Sequence, residues 1–224
     1  RLLIEALRRD TPPRPSRQRE FEAVKAATAA RAAKVQPHMD YLAAMRRVLP
    51  RDGFFVEEIC QAGFTSHFGF PVYTPRSFVA CGHQGTLGFG YATSLGVKIA
   101  HPDKAVVSIS GDGGFMFGVQ ELATAVQYGI GVVAVVFNNH AYGNVRRDQQ
   151  QRFGGRVIGA DLVNPDFVRL AESFGMAGRR VASPAALQAA LERALGEGAP
   201  ALIEVEVDLA SEASPWEFLT PPPR

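Results

Sequence analysis

The sequence predicts an α/β fold, a doubly wound and mainly parallel sheet with helices on both faces, and three observations predict it. Short β-branched runs alternate with longer stretches of helical spacing, the order that joins parallel strands by crossover helices. Two of the runs, residues 105–109 and 132–137, are apolar without alternation, as central strands covered on both sides are. The chain has 224 residues, 46% of them hydrophobic and 21% charged, so it is long enough to bury a full core.

Taken in order, Arg1 to Leu7 read as the last turns of a helix already under way, and residues 8–19, rich in Arg and Pro, as a solvated connector. Residues 20–35 are Ala-rich and read as a helix. Residues 1–35 are therefore expected to be the end of a preceding domain and its linker. Pro37 starts a second helix, in which Met39, Leu42, Ala43 and Met45 keep a helical period up to Pro50. Strands are expected at 53–56, 77–80, 105–109, 132–137 and 201–207, and helices at 86–100, 116–128, 165–174 and 184–195. The main domain is set at 36–210. Residues 211–224, with Trp216 and Pro221 to Pro223, read as a surface tail.

Lys and Arg number 24 against 22 Asp and Glu, a formal net charge of +2. That excess is too small to point to a nucleic-acid or membrane-surface partner, and it is local, since Arg1, Arg8, Arg9, Arg14, Arg17 and Arg19 all fall in the first twenty residues. Cys60 and Cys81 form neither a disulfide framework nor a metal-ligand spacing. They read as small buried apolar residues of a reducing compartment, with the cytoplasm as the expected location. No apolar run approaches the ~18 residues of a membrane span, and no signal-peptide pattern opens the chain. A first residue of Arg and not Met suggests a piece of a longer polypeptide.

In such sheets ligands bind at the carboxyl ends of the strands. After the strand ending at Ser110 comes Gly111-Asp112-Gly113-Gly114, and the next strand ends in Asn138-Asn139. One helix and one strand fit between them, so the Asp112 carboxylate and the Asn139 amide oxygen converge at one sheet edge. An oxygen-only pair suits Mg2+ or Ca2+, and Mg2+ is usually held by one or two protein oxygens together with substrate phosphates. The flanking glycines let a phosphate approach the backbone near a helix start. Gly85-x-x-Gly88-x-Gly90 lacks the dinucleotide order Gly-x-Gly-x-x-Gly, which argues against NAD.

Gly-Asp-Gly followed about two dozen residues later by Asn-Asn resembles the thiamine diphosphate signature of the family that contains acetolactate synthase, pyruvate oxidase and benzoylformate decarboxylase. Gly85-Thr86-Leu87-Gly88-Phe89-Gly90 resembles a segment of the acetohydroxyacid synthases, and Gly198 to Val205 resembles the closing strand of their pyrophosphate-binding domain. The resemblance implies thiamine diphosphate and Mg2+ as cofactors. Asp112, Asn139 and the carbonyl of Ala141 would ligate the metal, and Gly111, Gly113 and Gly114 would hold the diphosphate with Gln61. Gly85 would accept a hydrogen bond from the aminopyrimidine, Leu87 would wedge beneath the thiazolium, and Tyr142, Gly143 and Asn144 would complete the cofactor contacts. Gly85 and Leu87 are thus the expected catalytic residues of this chain. By resemblance the catalytic glutamate belongs to an N-terminal pyrimidine-binding domain, in the same polypeptide or in a partner chain, and the assembly is a homodimer or homotetramer.

The implied activity is decarboxylation or carboligation of a small 2-oxo acid or related carbonyl substrate. Open beside it stand a lyase of hydroxyketones or 2-hydroxyacyl thioesters and a catalytically silent cofactor-binding subunit. Two departures bear on substrate. Val145 stands where pyruvate decarboxylases carry a proton-transferring glutamate, and Asn144 and Asp148 stand where acetohydroxyacid synthases carry Met and Trp. The polar loop from Ala141 to Phe153 is either a solvated surface helix or a cover over the site in which Asn144 with Arg146 or Arg147 addresses an anionic substrate group. His83 and His140 are acid–base candidates or hydrogen-bonded loop histidines.

Overall fold

The computed structural model describes residues 2–11, 15–82 and 84–220; the expectations that fall on residues 1, 12–14, His83 and 221–224 lie outside them. The chain divides into two compact units, Arg1–Arg31 and Ala32–Arg224. The first is made of helices α1 (Leu2–Asp10) and α2, which runs Gln18–Ala32. No described residue before Ala32 is buried.

The second unit begins with helix α3 (His38–Val48) and alternates thereafter. Strand β1 is Phe54–Val56, helix α4 Gln61–Gly69, strand β2 Phe78–Val79, helix α5 Phe89–Ala100 and strand β3 Val106–Gly111. A short helix α6 (Asp112–Phe115) and helix α7 (Glu121–Tyr128) lead to strand β4 (Val133–Asn138), and helices α8 (Gly143–Arg152) and α9 (Phe167–Ser173) to strand β5 (Ala177–Val181). Helix α10 (Pro184–Glu197), strand β6 (Ala201–Glu206), a 3-10 turn (Leu209–Ser211) and helix α11 (Trp216–Leu219) complete it.

The six strands form one sheet in the order β2-β1-β3-β4-β6-β5, every neighbouring pair parallel. Strand residues alternate between two cores. Val133, Val135 and Phe137 pack with Tyr41 and Leu42 of α3 and Leu187 and Leu191 of α10. Ala134 and Val136 face the opposite way, onto Tyr91 of α5, Leu122 of α7 and Phe167 of α9. Each fully buried Leu, Ile or Phe contributes about 1.5–3 kcal/mol, so β3 and β4, apolar on both faces, anchor the domain. Because β2 lies on one side of β1 and β3 on the other, the winding reverses between β1 and β3, and a crevice opens at their carboxyl ends.

Several elements differ from the sequence reading. β5 was not expected: its Ala-Gly-Arg-Arg-Val run lacks an apolar face because it is an edge strand, half-exposed along its length. α4 was not among the expected helices, and Cys60 caps it, its Sγ accepting from the Gly63 N–H at 3.2 Å. The expected helix 116–128 starts only at Glu121, after α6 and a run of turns through Gly118. Residues 143–152 are helical, with no buried residue. The segment taken as a tail from 211 lies within the second unit: Trp216 packs on Phe64 at 5.1 Å between centroids and Phe218 stacks on Phe68 at 4.5 Å.

Candidate cofactor-binding site

Gly111 pairs with Phe137 across β3 and β4, so Asp112 and Asn138-Asn139 leave the sheet side by side at its carboxyl edge. There Asp112 and Asn139 border a cavity of ≈ 210 Å3. Gly111, Asp112, Gly113 and Gly114 line it from the end of β3, and Asn139, Ala141, Tyr142, Gly143 and Asn144 from the end of β4 and the start of α8. Gln61 of α4 and Leu87 of the loop before α5 close it. Gly85 stands behind this lining. Its φ of 63° favours glycine, a Cβ there would fall 2.4 Å from Ile59 Cδ1, and Ile59 is the residue that reaches the cavity.

Asp112 is buried, and burial pushes its carboxyl above the ordinary range although Asn164 and the N–H groups of Gly113 and His140 donate to it. Asn164 Nδ2 donates to Asp112 Oδ2 at 2.7 Å and to Asn138 Oδ1 at 2.8 Å, Asn138 Nδ2 donates to Glu204 Oε1 at 2.7 Å, and Arg180 Nε donates to Glu204 Oε2 at 2.9 Å. A continuous polar chain thus runs from the exposed edge strand to the carboxylate at the cavity. Sequence reasoning missed Asn164 and Glu204. Glu204 carries a signal, an acid in the middle of the apolar run Ala-Leu-Ile-Glu-Val, where a buried charge needs a partner.

Glu57 and Glu58, directly after β1, were also missed, and both are buried. Glu58 accepts from the N–H groups of Gly88 at 3.1 Å and Gly90 at 2.8 Å and from Ser110 Oγ at 3.2 Å, tying the Gly85–Gly90 loop to the end of β3. Burial outweighs these donors and raises its carboxyl above the ordinary value. A Cβ on Gly114 would fall 2.0 Å from Glu58 Oε1, so that glycine makes room for Glu58 at the cavity wall. Glu57 takes His67 Nε2 at 3.4 Å and the Cys81 N–H at 3.3 Å, and burial, helped by Glu57, pushes the Cys81 thiol up to about 11. Cys81 is therefore a poor nucleophile. Cys60 is not merely core: it lines the cavity, its thiol held well above its ordinary value by burial.

The polar loop divides. Asn144 lines the cavity and accepts from Trp216 Nε1 at 2.7 Å, and Val145 lines it too. Arg146 instead pairs with Asp161 at 2.7 Å, and Arg147 faces a different groove beside Asp208 and Leu209. Of the two readings of this loop, the solvated helix fits these arginines: neither lines the cavity, and both border that other groove. His140 is exposed with φ 57°, and its N–H donates to Asn138 Oδ1 at 3.2 Å, the arrangement of a loop histidine.

The residues fit an anionic, cation-bridged group. Both amide atoms of Gln61 are buried without a partner at the cavity. Gly113 and Gly114 line it as well. Among the described residues no group of three or more His, Cys, Asp or Glu is arranged to hold a metal. Asp112, Asn139 and Ala141 offer a carboxylate, an amide oxygen and a backbone carbonyl, an all-oxygen set that suits Mg2+ and not zinc.

A doubly wound parallel sheet carrying glycine-flanked Asp112 and Asn139 at the ends of adjacent strands is the architecture of a domain that binds a phosphorylated cofactor at a topological switch point. The family described as thiamine pyrophosphate enzyme, C-terminal TPP binding domain, matches residues 58–205, and the chain belongs to it. It is 41% identical over 146 residues to a probable acetolactate synthase large subunit of Methanococcus aeolicus, covering 65% of this chain and 24% of that protein. It is 34% identical over 177 residues to the acetolactate synthase large subunit of Haemophilus influenzae, covering 78% and 31%. Among solved structures it superposes on the thiamine diphosphate-dependent 4-hydroxybenzoylformate decarboxylase of Rhodococcus jostii RHA1 with a TM-score of 0.71 at 32% identity, covering 76% of this chain and 32% of that one. The chain spans about a quarter to a third of the length of these relatives.

Proposed function

We propose that this chain is the cofactor-anchoring half of a Mg2+- and thiamine diphosphate-dependent enzyme that decarboxylates a small 2-oxo acid or joins it to a second carbonyl, in the manner of its acetolactate synthase relatives. The observation that carries the reading is the meeting of Asp112, Asn139, Ala141, Gly113 and Gly114 around one cavity. Asp112, the Asn139 amide oxygen and the Ala141 carbonyl would hold Mg2+, and the glycine N–H groups with Gln61 would hold the diphosphate.

Bound there, thiamine diphosphate supplies the electron sink for breaking a bond next to a carbonyl. The chain supplies position and surroundings. Leu87 presents a branched apolar side chain to the cavity, against which the cofactor's ring end would be oriented. Val145 and Ile59, which line the cavity, would keep that end apolar and restrict water, and Val145 offers no group to move a proton. The remaining machinery, an N-terminal pyrimidine-binding domain from the same polypeptide or a partner in a cytoplasmic homodimer or homotetramer, belongs to the same reading.

Titrating thiamine diphosphate and Mg2+ into the full-length protein by calorimetry tests it. Asp112→Ala is expected to weaken Mg2+-dependent cofactor binding by at least ~10-fold, because the diphosphate then faces the backbone without its counter-ion. Equal affinity in the two proteins overturns the assignment.

A further inference from the structure

Glu212 lines the cavity from the segment that follows β6, far from either motif in sequence. Its side chain is 1% exposed. Both carboxylate oxygens lie 3.1 Å from Asn139 Nδ2, and on the other side of that amide Asn139 Oδ1 accepts the Ala141 N–H at 3.1 Å. A carboxylate only accepts and a backbone N–H only donates, so the amide can sit in one orientation alone. Flipping it would set oxygen against carboxylate and NH2 against N–H and lose all three contacts. With Nδ2 engaged, Oδ1 keeps a second lone pair for a cation.

Glu212 is itself held. His38 Nε2, on a fully buried ring, is 3.1 Å from Oε1, and the neighbouring Ala213 N–H bonds the Gln36 carbonyl at 2.8 Å, fastening the segment to the start of α3. Position 143 must leave this pair space. A Cβ there would lie 3.0 Å from Asn139 Nδ2 and 3.6 Å from Glu212 Oε2.

We propose that Glu212 is a positioning residue for Asn139, aiming its amide oxygen at the metal, with His38 fixing the carboxylate; this rests on the Mg2+ site of the proposed function. Outer partners of metal ligands typically contribute 10–100-fold in metal affinity.

The test is Mg2+ affinity of the full-length protein at saturating thiamine diphosphate, measured by calorimetry beside melting curves taken without either. Glu212→Ala is expected to raise the Mg2+ Kd about 10–100-fold. Glu212→Gln, which still offers Asn139 one acceptor oxygen, is expected to retain most of the affinity. In an Asn139→Ala background the Glu212→Ala loss should vanish, since a residue acting through Asn139 has nothing left to position. Glu212→Met, which keeps the buried volume, carries the same expectation as Ala and stands in for it if the Ala protein does not melt cooperatively. Unchanged Mg2+ affinity in Glu212→Ala or →Met, additive losses in the double variant, or a Gln protein as weak as the Ala one overturns the inference and leaves the site reading in place. A wild type that binds no Mg2+ with thiamine diphosphate overturns both.

Discussion

Glu58 stands where burial and hydrogen bonding oppose one another, and burial wins. Its carboxyl is raised in the folded protein, so it holds its proton to higher pH than in the unfolded chain. A group of this kind favours folding fully below its ordinary value of 4.5, and that contribution is lost as pH rises through the raised value. Above it the ionised carboxylate, with Glu57 buried beside it, weighs against the fold. Glu58→Gln, always neutral, is therefore expected to gain stability relative to wild type as pH moves from the acid side of 4.5 to neutrality. Urea midpoints of the two proteins across that range check this, and a difference that stays flat or shrinks would count against the burial argument.

At the scale of elements, the chain from Arg180 through Glu204, Asn138 and Asn164 to Asp112 joins β5, β6, β4 and α6 by side chains alone. Asn164 is its centre, since one NH2 group serves two acceptors. Asn164→Ala leaves Asn138 Oδ1 and Asp112 Oδ2 short of a donor in a part-buried site, an expected loss of about 1–3 kcal/mol. Denaturant unfolding in the absence of metal and cofactor reads it directly. A change within a few tenths of a kcal/mol would show the amide to be replaceable by water. The network also explains a strand the sequence conceals. Arg180 is half-exposed on β5 yet ion-paired inward to the buried Glu204, so the residue that spoils the apolar pattern of this edge is the one that neutralises its neighbour.

For the whole molecule, both apolar cores are built from residues beyond Ala32, and no described residue before it is buried. The stability of the sheet domain should therefore be its own. A chain of residues 32–220 is expected to melt cooperatively within a few degrees of the 224-residue chain, a shift matching ~1 kcal/mol or less. Loss of the cooperative transition on removing residues 1–31 would show that the cores are incomplete without them. Retention of Trp216 and Glu212 in the shorter chain matters, because both reach the cavity wall.

The α/β class, five of the six strands and the convergence of Asp112 with Asn139 were legible from the sequence alone. Each rests on something local: a run apolar on both faces marks a central strand, and a glycine-flanked acid at its end marks a carboxyl-edge loop. The rest depended on which strand lies beside which. Asn138 meets Glu204 only because β4 pairs with β6 in a register that sets Val136 opposite Glu204, and β6 pairs with β5 so as to set Arg180 opposite it again. Glu58 meets Gly88, Gly90 and Ser110 because the winding reverses at β1 and β3. Composition left Arg146 and Arg147 either on a solvated helix or on a substrate anion, and it is the pitch of α8 that turns them from the cavity while leaving Asn144 and Val145 in its wall. Glu212 has no motif at all. Its place against Asn139 comes from a segment 73 residues away returning across the sheet edge, a contact that periodicity cannot encode and only the packed chain decides.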